Sequence, residues 1–332
     1  MRVALVGAGS IADWHLAGLR AAGVTAAVVA ARRLERAREA AARHGVAEAV
    51  ADWRTLPPRR NLDAAIVATP DDAHAEVARA FLEEGKPVLV QKPLAASVAE
   101  AEALLAAARA TGVPLEVSFM HRHLPEAVAA SALLRDGAIG QVLSARIRNA
   151  TPGPDWDAWF WRAARSGGVA AQVGVHGVDL LAHLVAPVVA VSAEAAIRVP
   201  ERSLRDGTRV AAEVPDHVTA AYRLADGTVA VHEMSWADVG ATDRYALDLH
   251  GERGSLSLRG PRSPLALLRD GAWSAVPVAD EAPGQRQHTL FLDVAAGRRA
   301  PTGSAEDALR AQRVLGAIAE SSARGRRVTV PP

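Results

Sequence analysis

Two side chains in this sequence are suited to exchanging a proton with an alcohol or carbonyl oxygen. Lys92 follows a buried apolar run and precedes Pro93, which favours an extended backbone at the lysine. A lysine in this position can hydrogen-bond a reacting oxygen, and its pKa can fall to suit proton transfer. His176 lies in a predicted helix, and its imidazole can accept an alcohol proton. The alternatives are a solvent-exposed lysine beside a turn and a structural histidine.

Two polar residues are predicted on the same helix face as His176. Gln172 precedes it by one helical turn, and Asp179 follows it three residues later. Asp179 can orient the imidazole, bind a substrate hydroxyl or cap a neighbouring element. Gln172 can hydrogen-bond a hydroxyl group but cannot usefully accept a proton. We therefore predict substrate contacts for Gln172 and Asp179.

Three further side chains are candidates for the substrate cleft. Arg122 lies between two histidines, directly after the last predicted strand of the N-terminal half. Trp161 and Arg162 belong to a tryptophan-rich loop over residues 152–168, and aromatic faces suit the C–H surfaces of sugars. The alternative for the tryptophans is packing within the loop. We predict substrate contacts for Arg122, Trp161 and Arg162.

The N-terminal residues carry a pattern that can hold the pyrophosphate of a dinucleotide. An apolar strand leads into Gly-x-Gly-x-x-Ala at residues 7–12 and then into a helical pattern. Glycines let the backbone approach a pyrophosphate closely, and the helix start directs N–H groups and a positive dipole end towards it. The alternative is an ordinary strand-to-helix turn. In this context we predict dinucleotide binding, with contacts from Gly7, Gly9, Ser10 and Ile11.

The residues after the second predicted strand bear on the choice between NAD and NADP. An acidic residue about 20 positions after the glycines commonly binds the ribose 2′-hydroxyl group. Here Ala31, Arg32 and Arg33 occupy that place, and no carboxylate is present. Two guanidinium groups can clamp a 2′-phosphate, although the alternative is a solvated first turn of the next helix. We therefore predict NADP(H) as the preferred cofactor, with NAD(H) as the alternative.

Strands alternating with helices fill the first 120 residues. The pattern predicts strands over residues 24–30, 64–68, 87–90 and 113–119, and helices over 34–44, 73–84 and 98–110. This alternation predicts a doubly wound parallel sheet whose strands end at one edge. For His74 the alternative is packing at a helix N-terminus. The predicted cofactor border at this edge comprises Thr69, Pro70, His74, Gln91 and Lys92.

After residue 120 the pattern changes to that of an antiparallel sheet. Several runs alternate apolar and polar residues, which is typical of a sheet with one covered face. Asp226 and Gly227 predict a hairpin turn. We therefore predict two domains, 1–120 and 121–332, the second an α+β domain on an open, mostly antiparallel sheet. The predicted strands are 141–149, 188–199, 218–224, 228–236, 245–250 and 255–258, and the helices 125–135, 170–185, 287–296 and 305–323.

Composition limits the classes of function. Hydrophobic residues make up 50% and charged residues 23% of the chain, as in a soluble globular protein. The net charge of +1 provides no basic field for nucleic acid or an acidic membrane, and no apolar run is long enough to span a bilayer. The absence of cysteine excludes disulfides and fits a cytoplasmic location, and no signal peptide is expected. The histidines and carboxylates lack metal-ligand spacing, so we expect no metal.

Four segments, in this order, resemble the glucose–fructose oxidoreductase/inositol dehydrogenase (Gfo/Idh/MocA) family. They are residues 7–12, residues 69–74, the tripeptide Gln91-Lys92-Pro93, and residues 167–179. The resemblance covers nearly the whole chain. It implies a Rossmann domain followed by an open-faced sheet domain that often makes the oligomer contact, in a dimer or tetramer. Members oxidise or reduce sugars, cyclitols and related polyols or ketones.

The sequence departs from the family pattern at two positions. The usual Glu-Lys-Pro is Gln91-Lys92-Pro93 here, and the acid four residues before the family histidine is Gln172. The lysine and the histidine are retained. An expected carboxylate of the acid/base set is therefore missing, and this leaves open whether a proton relay operates at that position.

These observations predict an NADP-preferring oxidoreductase that moves hydride between nicotinamide and a secondary alcohol or ketone of a sugar-like substrate. In this hypothesis Lys92 polarises the reacting oxygen and His176 exchanges the proton. Two alternatives stay open. One is a glycosidase or lyase that retains its cofactor and acts by transient oxidation. The other is a non-catalytic nucleotide-dependent binder, which the missing carboxylates favour and the retained Lys92 and His176 oppose.

Overall fold

The computed structural model describes residues 1–238, 240, 245–260 and 265–332, which form two compact units. The first unit comprises residues 1–123 and 281–309, and the second comprises 124–280 and 310–332. The structure therefore differs from the predicted linear division at residue 120, because residues 281–309 group with the N-terminal residues. The physical reason is packing between a C-terminal helix and the first helix, where Gly18 leaves room for the imidazole of His288.

Helices and strands alternate along the first unit and give way to a strand-rich second unit. The helices are α1 Ala12–Ala21, α2 Leu34–His44, α3 His74–Glu83, α4 Val98–Thr111, α5 Pro125–Arg135, α6 Val175–Leu184, α7 Pro283–Ala295 and α8 Ala305–Arg324. The strands are β1 Val3–Val6, β2 Val28–Ala30, β3 Glu48–Val50, β4 Ala64–Val67, β5 Val88–Val90, β6 Leu115–Val117, β7 Val142–Ala150, β8 Val188–Ala196, β9 Glu201–Ser203, β10 Arg209–Ala211, β11 His217–Leu224, β12 Val229–Ser235, β13 Tyr245–Gly251, β14 Gly254–Gly260, β15 Leu265–Arg269, β16 Ala272–Val276 and β17 Val328–Thr329.

The first unit is built on a six-stranded parallel sheet in the order β3-β2-β1-β4-β5-β6. The central strands β1 and β4 are buried at every residue, as expected for short apolar strands covered on both faces. The predicted doubly wound fold is confirmed. Gly7, Ala31 and Gln91 directly follow β1, β2 and β5, so the structure places them at one edge of the sheet. The short edge strand β3 was not predicted, because its three residues are only partly buried.

The second unit is built on a nine-stranded sheet in the order β16-β15-β14-β13-β7-β12-β11-β8-β17. Strands β7 and β12 pair in parallel, whereas their outer neighbours β13 and β11 pair antiparallel. The predicted open, mostly antiparallel sheet is confirmed. The predicted hairpin joins β11 to β12, and the Asp226 carboxylate accepts a hydrogen bond from the Thr228 backbone N–H. No helix within the described part of the chain is both long and apolar enough to cross a bilayer.

The hairpin of β15 and β16 was not predicted, although its turn contains the dipeptide Asp270-Gly271. Asp270 and Gly271 both have positive φ angles, 51° and 78°, between two antiparallel strands. An Asp-Gly pair with this backbone is the preferred sequence for a two-residue hairpin turn. The same dipeptide had identified the β11–β12 turn. The difference is that Ala272–Val276 is mostly exposed and lacks the alternation that marks a half-buried strand.

Glu116 is a buried carboxyl group in the middle of β6. It is 0% exposed, and Oε1 accepts a hydrogen bond from the Thr302 backbone N–H at 3.2 Å. Burial raises its pKa to about 7, while backbone N–H groups and the guanidinium groups of Arg299 and Arg122 oppose this shift. Because the folded-state pKa lies above the unfolded value of 4.5, the stability that Glu116 contributes is present at low pH. It is lost as pH rises through about 7.

Replacing Glu116 by glutamine is expected to remove this pH dependence. Glutamine keeps the acceptor for Thr302 but cannot ionise, so the variant should be about 2 kcal/mol more stable than the parent at pH 8. Near pH 4.5 the two proteins should differ little. Urea unfolding at both pH values measures the effect, with exposed Glu84→Gln as the control. Equal pH slopes for the Glu116 variant and the parent protein would contradict the assignment.

Candidate functional site

The turn after β1 has the shape that a pyrophosphate requires. Gly7 has a φ of 112°, and a Cβ atom there would lie 2.2 Å from the Ala68 carbonyl oxygen. This close approach of two strand ends explains why glycine is needed at position 7. At Gly9, in contrast, a Cβ atom would meet no protein atom within 4 Å. The turn is therefore tight on the side of the protein and open in front of Gly9.

Polar groups around this turn fit an anionic ligand. Helix α1 begins after Ile11, and among the residues that the structure describes no side chain caps its first turn. Uncapped N–H groups and the positive end of the helix dipole favour a phosphate. Thr69, which follows β4, has a buried hydroxyl oxygen without a hydrogen-bond partner within the described residues. Ser10 is exposed in front of the helix. These donors fit the pyrophosphate of a nicotinamide dinucleotide.

Arg32 and Arg33 lie at the end of β2, where the ribose of such a dinucleotide is read. Both side chains are exposed, and Arg33 precedes the first turn of α2 with an extended backbone. Within the described ranges, neither guanidinium forms a hydrogen bond or an ion pair with another residue. Ala31 keeps the strand end in place, since its N–H donates to the Val50 carbonyl at 3.1 Å. The guanidinium groups of Arg32 and Arg33 therefore lie on the surface at the end of β2.

Lys92 follows β5 at the same edge and has a carboxylate in its electrostatic environment. The side chain is partly buried, and its peptide bond to Pro93 is cis. Burial lowers the pKa of Lys92, whereas the Asp71 carboxylate opposes this shift. Asp71 is 9% exposed in a short 3₁₀ turn over residues 71–73. Asp71 belongs to the segment 69–74, for which the sequence predicted no role at this residue. In the structure its negative charge favours the ammonium form of Lys92.

His74 connects the turns after β4 and β5. The ring is fully buried, with Nδ1 2.7 Å from the Pro93 carbonyl oxygen and Nε2 2.9 Å from the Thr69 carbonyl oxygen. Burial lowers the pKa of His74, with Asp71 and the two carbonyl oxygens opposing this shift. Pro70, on the turn between them, is exposed. His74 therefore joins the turn after β4 to the turn after β5 at the cofactor edge.

Gln91 is also turned into the protein. It is 6% exposed, its amide oxygen accepts the Lys92 backbone N–H at 3.1 Å, and its amide nitrogen lies 3.0 Å from His15 Nε2. His15 in turn contacts His288 of α7, which sequence reasoning did not single out. No local signal could have found this contact, because His15 and His288 are 273 residues apart.

His176 and its predicted neighbours lie at the start of α6 in the second unit. His176 is 7% exposed and Asp179 is 2% exposed, one turn further along the same helix. The predicted helix over 170–185 is divided, because Ala170–Gly174 is a π-helix that leads into α6. Gln172 lies in this π segment and is partly buried. π segments within helices are frequent at functional sites.

Two glycines let α6 approach the sheet of its own unit. A Cβ atom at Gly174 would lie 2.3 Å from Met234 Sδ, and one at Gly177 would lie 2.4 Å from Asn149 Oδ1. Beneath Gly177, His232 Nε2 donates to Asn149 Oδ1 at 2.8 Å and Nδ1 lies 3.1 Å from the Tyr222 hydroxyl. Burial lowers the pKa of His232 to about 3, so this ring is neutral. The helix that carries His176 is thus seated on a buried polar cluster.

The structure places Trp161 in the interior of the second unit. This residue is 1% exposed, its indole N–H donates to the Pro154 carbonyl at 3.1 Å, and it packs edge-on against Trp236. Arg202 covers the ring with its guanidinium 4.5 Å from the ring centroid. A ring enclosed on these sides belongs to the core of the second unit. Trp156 of the same loop is 46% exposed, so the enclosure applies to Trp161 and not to every tryptophan of the loop.

The two arginines predicted to bind substrate make contacts within their own units. Arg122 is buried, donates to the Thr302 carbonyl at 2.6 Å and pairs with Asp307 at 3.1 Å. These two contacts anchor the segment after α7. Arg162 pairs with Glu213 at 2.5 Å on the surface of the second unit, and this hydrogen bond lowers the pKa of Glu213. Neither contact requires a substrate.

Comparison with known proteins adds to this geometry. Residues 1–119 match the model of the Gfo/Idh/MocA oxidoreductase family with an NAD-binding Rossmann fold, and residues 127–257 match the model of the C-terminal domain of that family. Together the two models cover most of the chain. Within the described residues, no group of three histidine, aspartate or glutamate side chains could hold a metal ion.

Several similar proteins are dehydrogenases or reductases of sugars or cyclitols by name. A levoglucosan dehydrogenase from Pseudarthrobacter phenanthrenivorans is 30% identical in an alignment of 250 positions. The alignment covers 69% of this chain and 63% of that protein, less than two thirds of its length. An inositol 2-dehydrogenase from Paenarthrobacter aurescens is 29% identical over 97% of this chain and 96% of its own. A structure of levoglucosan dehydrogenase with NADH and L-sorbose superposes with a TM-score of 0.92 at 25% identity, covering 100% of this chain and 99% of the other.

Proposed function

The chain belongs to the Gfo/Idh/MocA oxidoreductase family, and from this premise we propose that it is an NAD(P)-dependent dehydrogenase or reductase. Its substrate is a secondary alcohol or ketone of a sugar, a cyclitol or a related polyol. The observation that carries the proposal is that the open glycine turn after β1 and Lys92 after β5 lie at the same edge of one parallel sheet. That edge is where ligands bind in folds of this class.

The residues that would hold the dinucleotide are those of the glycine turn and its surroundings. Gly7 and Gly9 shape the turn, the start of α1 offers N–H groups, and the Thr69 hydroxyl supplies a further donor. When bound, the cofactor accepts hydride from the substrate carbon or returns it. The protein supplies orientation and handles the proton.

Lys92 is proposed as the group that polarises the reacting oxygen. As an ammonium it donates a hydrogen bond to the alkoxide that forms during oxidation, or to the ketone oxygen during reduction. Burial lowers its pKa and brings it closer to neutrality, while Asp71 keeps the ammonium form available. Asp71 therefore supplies charge near the lysine in a sequence whose family glutamate is Gln91. Gln91 itself contacts His15 and accepts a hydrogen bond from the Lys92 backbone N–H.

His176 is proposed as the residue that exchanges the proton. In oxidation the substrate hydroxyl loses its proton to the imidazole, and in reduction the imidazolium returns a proton to the oxygen. Gln172 and Asp179 are proposed to hold neighbouring hydroxyl groups of the substrate. Support comes from the retained family position of His176 and from the rigid seat of α6 at Gly174 and Gly177. The test of this function closes the Discussion.

We further propose a preference for NADP(H), carried by Arg32 and Arg33. Two exposed guanidinium groups at the end of β2 suit a 2′-phosphate, and no carboxylate occupies the predicted ribose position. The levoglucosan dehydrogenase complexes contain NADH, so this preference would separate the chain from that relative.

The Arg32→Ala variant is expected to bind NADPH about tenfold more weakly and NADH with unchanged affinity. The reason is that only NADPH carries the ribose 2′-phosphate that we assign to Arg32. Equilibrium titration of both cofactors measures this. Arg36→Ala, which removes an exposed arginine one turn into α2, is the matched control. If Arg32→Ala left NADPH affinity unchanged, the assignment of Arg32 would be wrong.

The open face of the nine-stranded sheet supports a homo-oligomer. Val229 and Val231 are each 51% exposed on β12, next to exposed Ala221 on β11. Exposed valines in the middle of a sheet are typical of a face covered by a partner. We propose that a second copy of the chain covers it, in a dimer or tetramer. Sedimentation velocity tests this, and a monomer at micromolar concentration would contradict it.

A further inference from the structure

We propose that His288, acting through His15 and Gln91, is a positioning residue that holds the backbone of Lys92. Its kinetic consequence rests on the proposed function, whereas the hydrogen-bond chain itself is a property of the first unit. All the residues concerned belong to that unit. Through these hydrogen bonds, the segment 281–309, which contains α7, contributes to the structure of the cofactor edge.

Four hydrogen bonds connect α7 to Lys92. His288 Nδ1 lies 2.6 Å from the Gly284 carbonyl oxygen, and His288 Nε2 lies 2.9 Å from His15 Nδ1. His15 Nε2 lies 3.0 Å from the Gln91 amide nitrogen, and the Gln91 amide oxygen accepts the Lys92 backbone N–H at 3.1 Å. The bond to Gly284 is short, and the other three distances, 2.9–3.1 Å, are those of ordinary hydrogen bonds. A continuous path therefore runs from a helix backbone to the backbone of the proposed catalytic lysine.

The chemistry of the two ends fixes the direction of every bond in the path. The Gly284 carbonyl can only accept, so His288 Nδ1 donates, and the Nε2 of a neutral ring is then an acceptor. His15 Nδ1 must donate to that acceptor, which leaves His15 Nε2 to accept from the Gln91 amide. The Gln91 oxygen is then free to accept from Lys92. Both rings are therefore neutral and carry their proton on Nδ1.

Burial supports neutral rings at both positions. His15 and His288 are each 0% exposed. Burial lowers the pKa of His288 to about 4, with the Gly284 carbonyl opposing the shift. Burial also lowers the pKa of His15, and His288 is the one titratable group whose charge adds to that effect. A second proton on either ring would be costly and would break the path.

The path requires an amide rather than a carboxylate at position 91. A carboxylate can only accept, so it could not donate to the unprotonated Nε2 of His15. The second N–H of the Gln91 amide points to Ser118 Oγ at 3.3 Å, which also accepts from Gln287 at 2.8 Å. The amide thus uses both its donors and its acceptor. Gln91 and the two histidines therefore form a set in which each donor faces an acceptor.

The slot for His288 is equally specific. A Cβ atom at Gly18 would lie 2.2 Å from His288 Nδ1. The ring of His288 therefore lies directly against the backbone of α1, the helix that begins at the glycine turn. Residue 18 must stay small for the imidazole to reach His15. The same contact joins the segment 281–309 to the cofactor edge.

The tautomers can be measured in the parent protein without any substrate. Long-range ¹⁵N–¹H correlation of the histidine side chains is expected to show His15 and His288 protonated at Nδ1 alone, without titration between pH 6 and 8. Most neutral histidines carry the proton on Nε2, so the result is distinctive. A proton on Nε2 of either ring, or titration of either ring in this interval, would overturn the proposal.

Variants at His288 test whether the path positions Lys92. His288→Leu should shift the Lys92 backbone amide resonance and reduce kcat on the order of tenfold, with the dissociation constant for the cofactor changed less than about threefold. His288→Gln offers an oxygen near the position of Nε2 and should restore most of both signals. Ser321→Ala, which removes a buried hydroxyl from the second unit, is the control for general destabilisation. Equal losses in His288→Leu and His288→Gln would contradict a positioning role.

Gln91→Glu replaces the amide that donates to His15 by a carboxylate, which can only accept a hydrogen bond. The carboxylate should recruit a second proton onto His15, seen as a new protonated Nε2 and as an added pH dependence of kcat near neutrality. If His15 kept its single Nδ1 proton in this variant, the proposal would be wrong. Should the parent protein turn over no substrate, the proposed function fails, while the ring tautomers and the Lys92 amide resonance still decide this inference.

Discussion

Lys92→Met is expected to lower kcat on the order of a thousandfold while leaving cofactor affinity within about threefold of the parent protein. Methionine has a similar length and no charge, so it removes the hydrogen bond to the reacting oxygen and leaves the surrounding packing in place. The substitution removes the ammonium group on which burial and the Asp71 carboxylate act. Steady-state rates with a substrate, together with equilibrium cofactor titration, separate the two effects.

The chain provides a matched control for this experiment. Lys86 precedes Pro87 at the start of β5, just as Lys92 precedes Pro93 after its end, so the same dipeptide occurs at both ends of one strand. Lys86→Met should leave kcat unchanged. A Lys92→Met enzyme that retained the parental kcat on a true substrate would disprove the role assigned to Lys92.

Gly9→Ala is expected to weaken binding of both NADH and NADPH on the order of a hundredfold. A Cβ atom at this position meets no protein atom within 4 Å, so the fold should accept alanine and the free energy of unfolding should barely change. The methyl group would instead occupy the space through which the pyrophosphate approaches the backbone. Isothermal titration with each cofactor, combined with urea unfolding, measures the loss of affinity apart from stability.

Two further glycine variants make this result interpretable. Gly316→Ala in α8 also meets no atom within 4 Å and should leave affinity unchanged while stabilising the helix by up to about 1 kcal/mol. Gly7→Ala should destabilise the protein, because its Cβ would lie 2.2 Å from the Ala68 carbonyl oxygen. Parental affinity for both cofactors in Gly9→Ala would mean that the glycine turn does not hold the dinucleotide.

The fold could be predicted because its signals are local. Helix α2 has the predicted bounds Leu34–His44 and ends at Gly45 with a φ of 69°, since the hydrophobic period and the left-handed glycine are both visible in sequence. Helix α5 likewise has the predicted bounds Pro125–Arg135. The exposed strand β16 lacks such a period and was missed. Local pattern therefore sufficed for these two helices, whereas the short strand β10 was missed although Val210 is buried.

The site could be predicted only in part because its contacts are not local. The positions of the glycine turn and of Lys92 followed from strand order, but His288 acts on His15 across 273 residues. The enclosure of Trp161 by Trp236 and Arg202 could not be predicted either, because composition does not distinguish an exposed ring from a packed one. Whether Gln91 damages or preserves the site depends on which proton each neighbouring ring carries. That information exists only in the folded structure.

The most direct test of the proposed function is turnover by the purified protein. A panel of sugars and cyclitols is offered with NADP⁺ and with NAD⁺, and the absorbance band of the reduced nicotinamide is followed. We predict that at least one substrate raises this absorbance in proportion to product, faster with NADP⁺ than with NAD⁺. Tight cofactor binding without turnover on any substrate would contradict the account and indicate a binder. Consumption of a glycoside without a net change in absorbance would contradict it too and indicate transient oxidation.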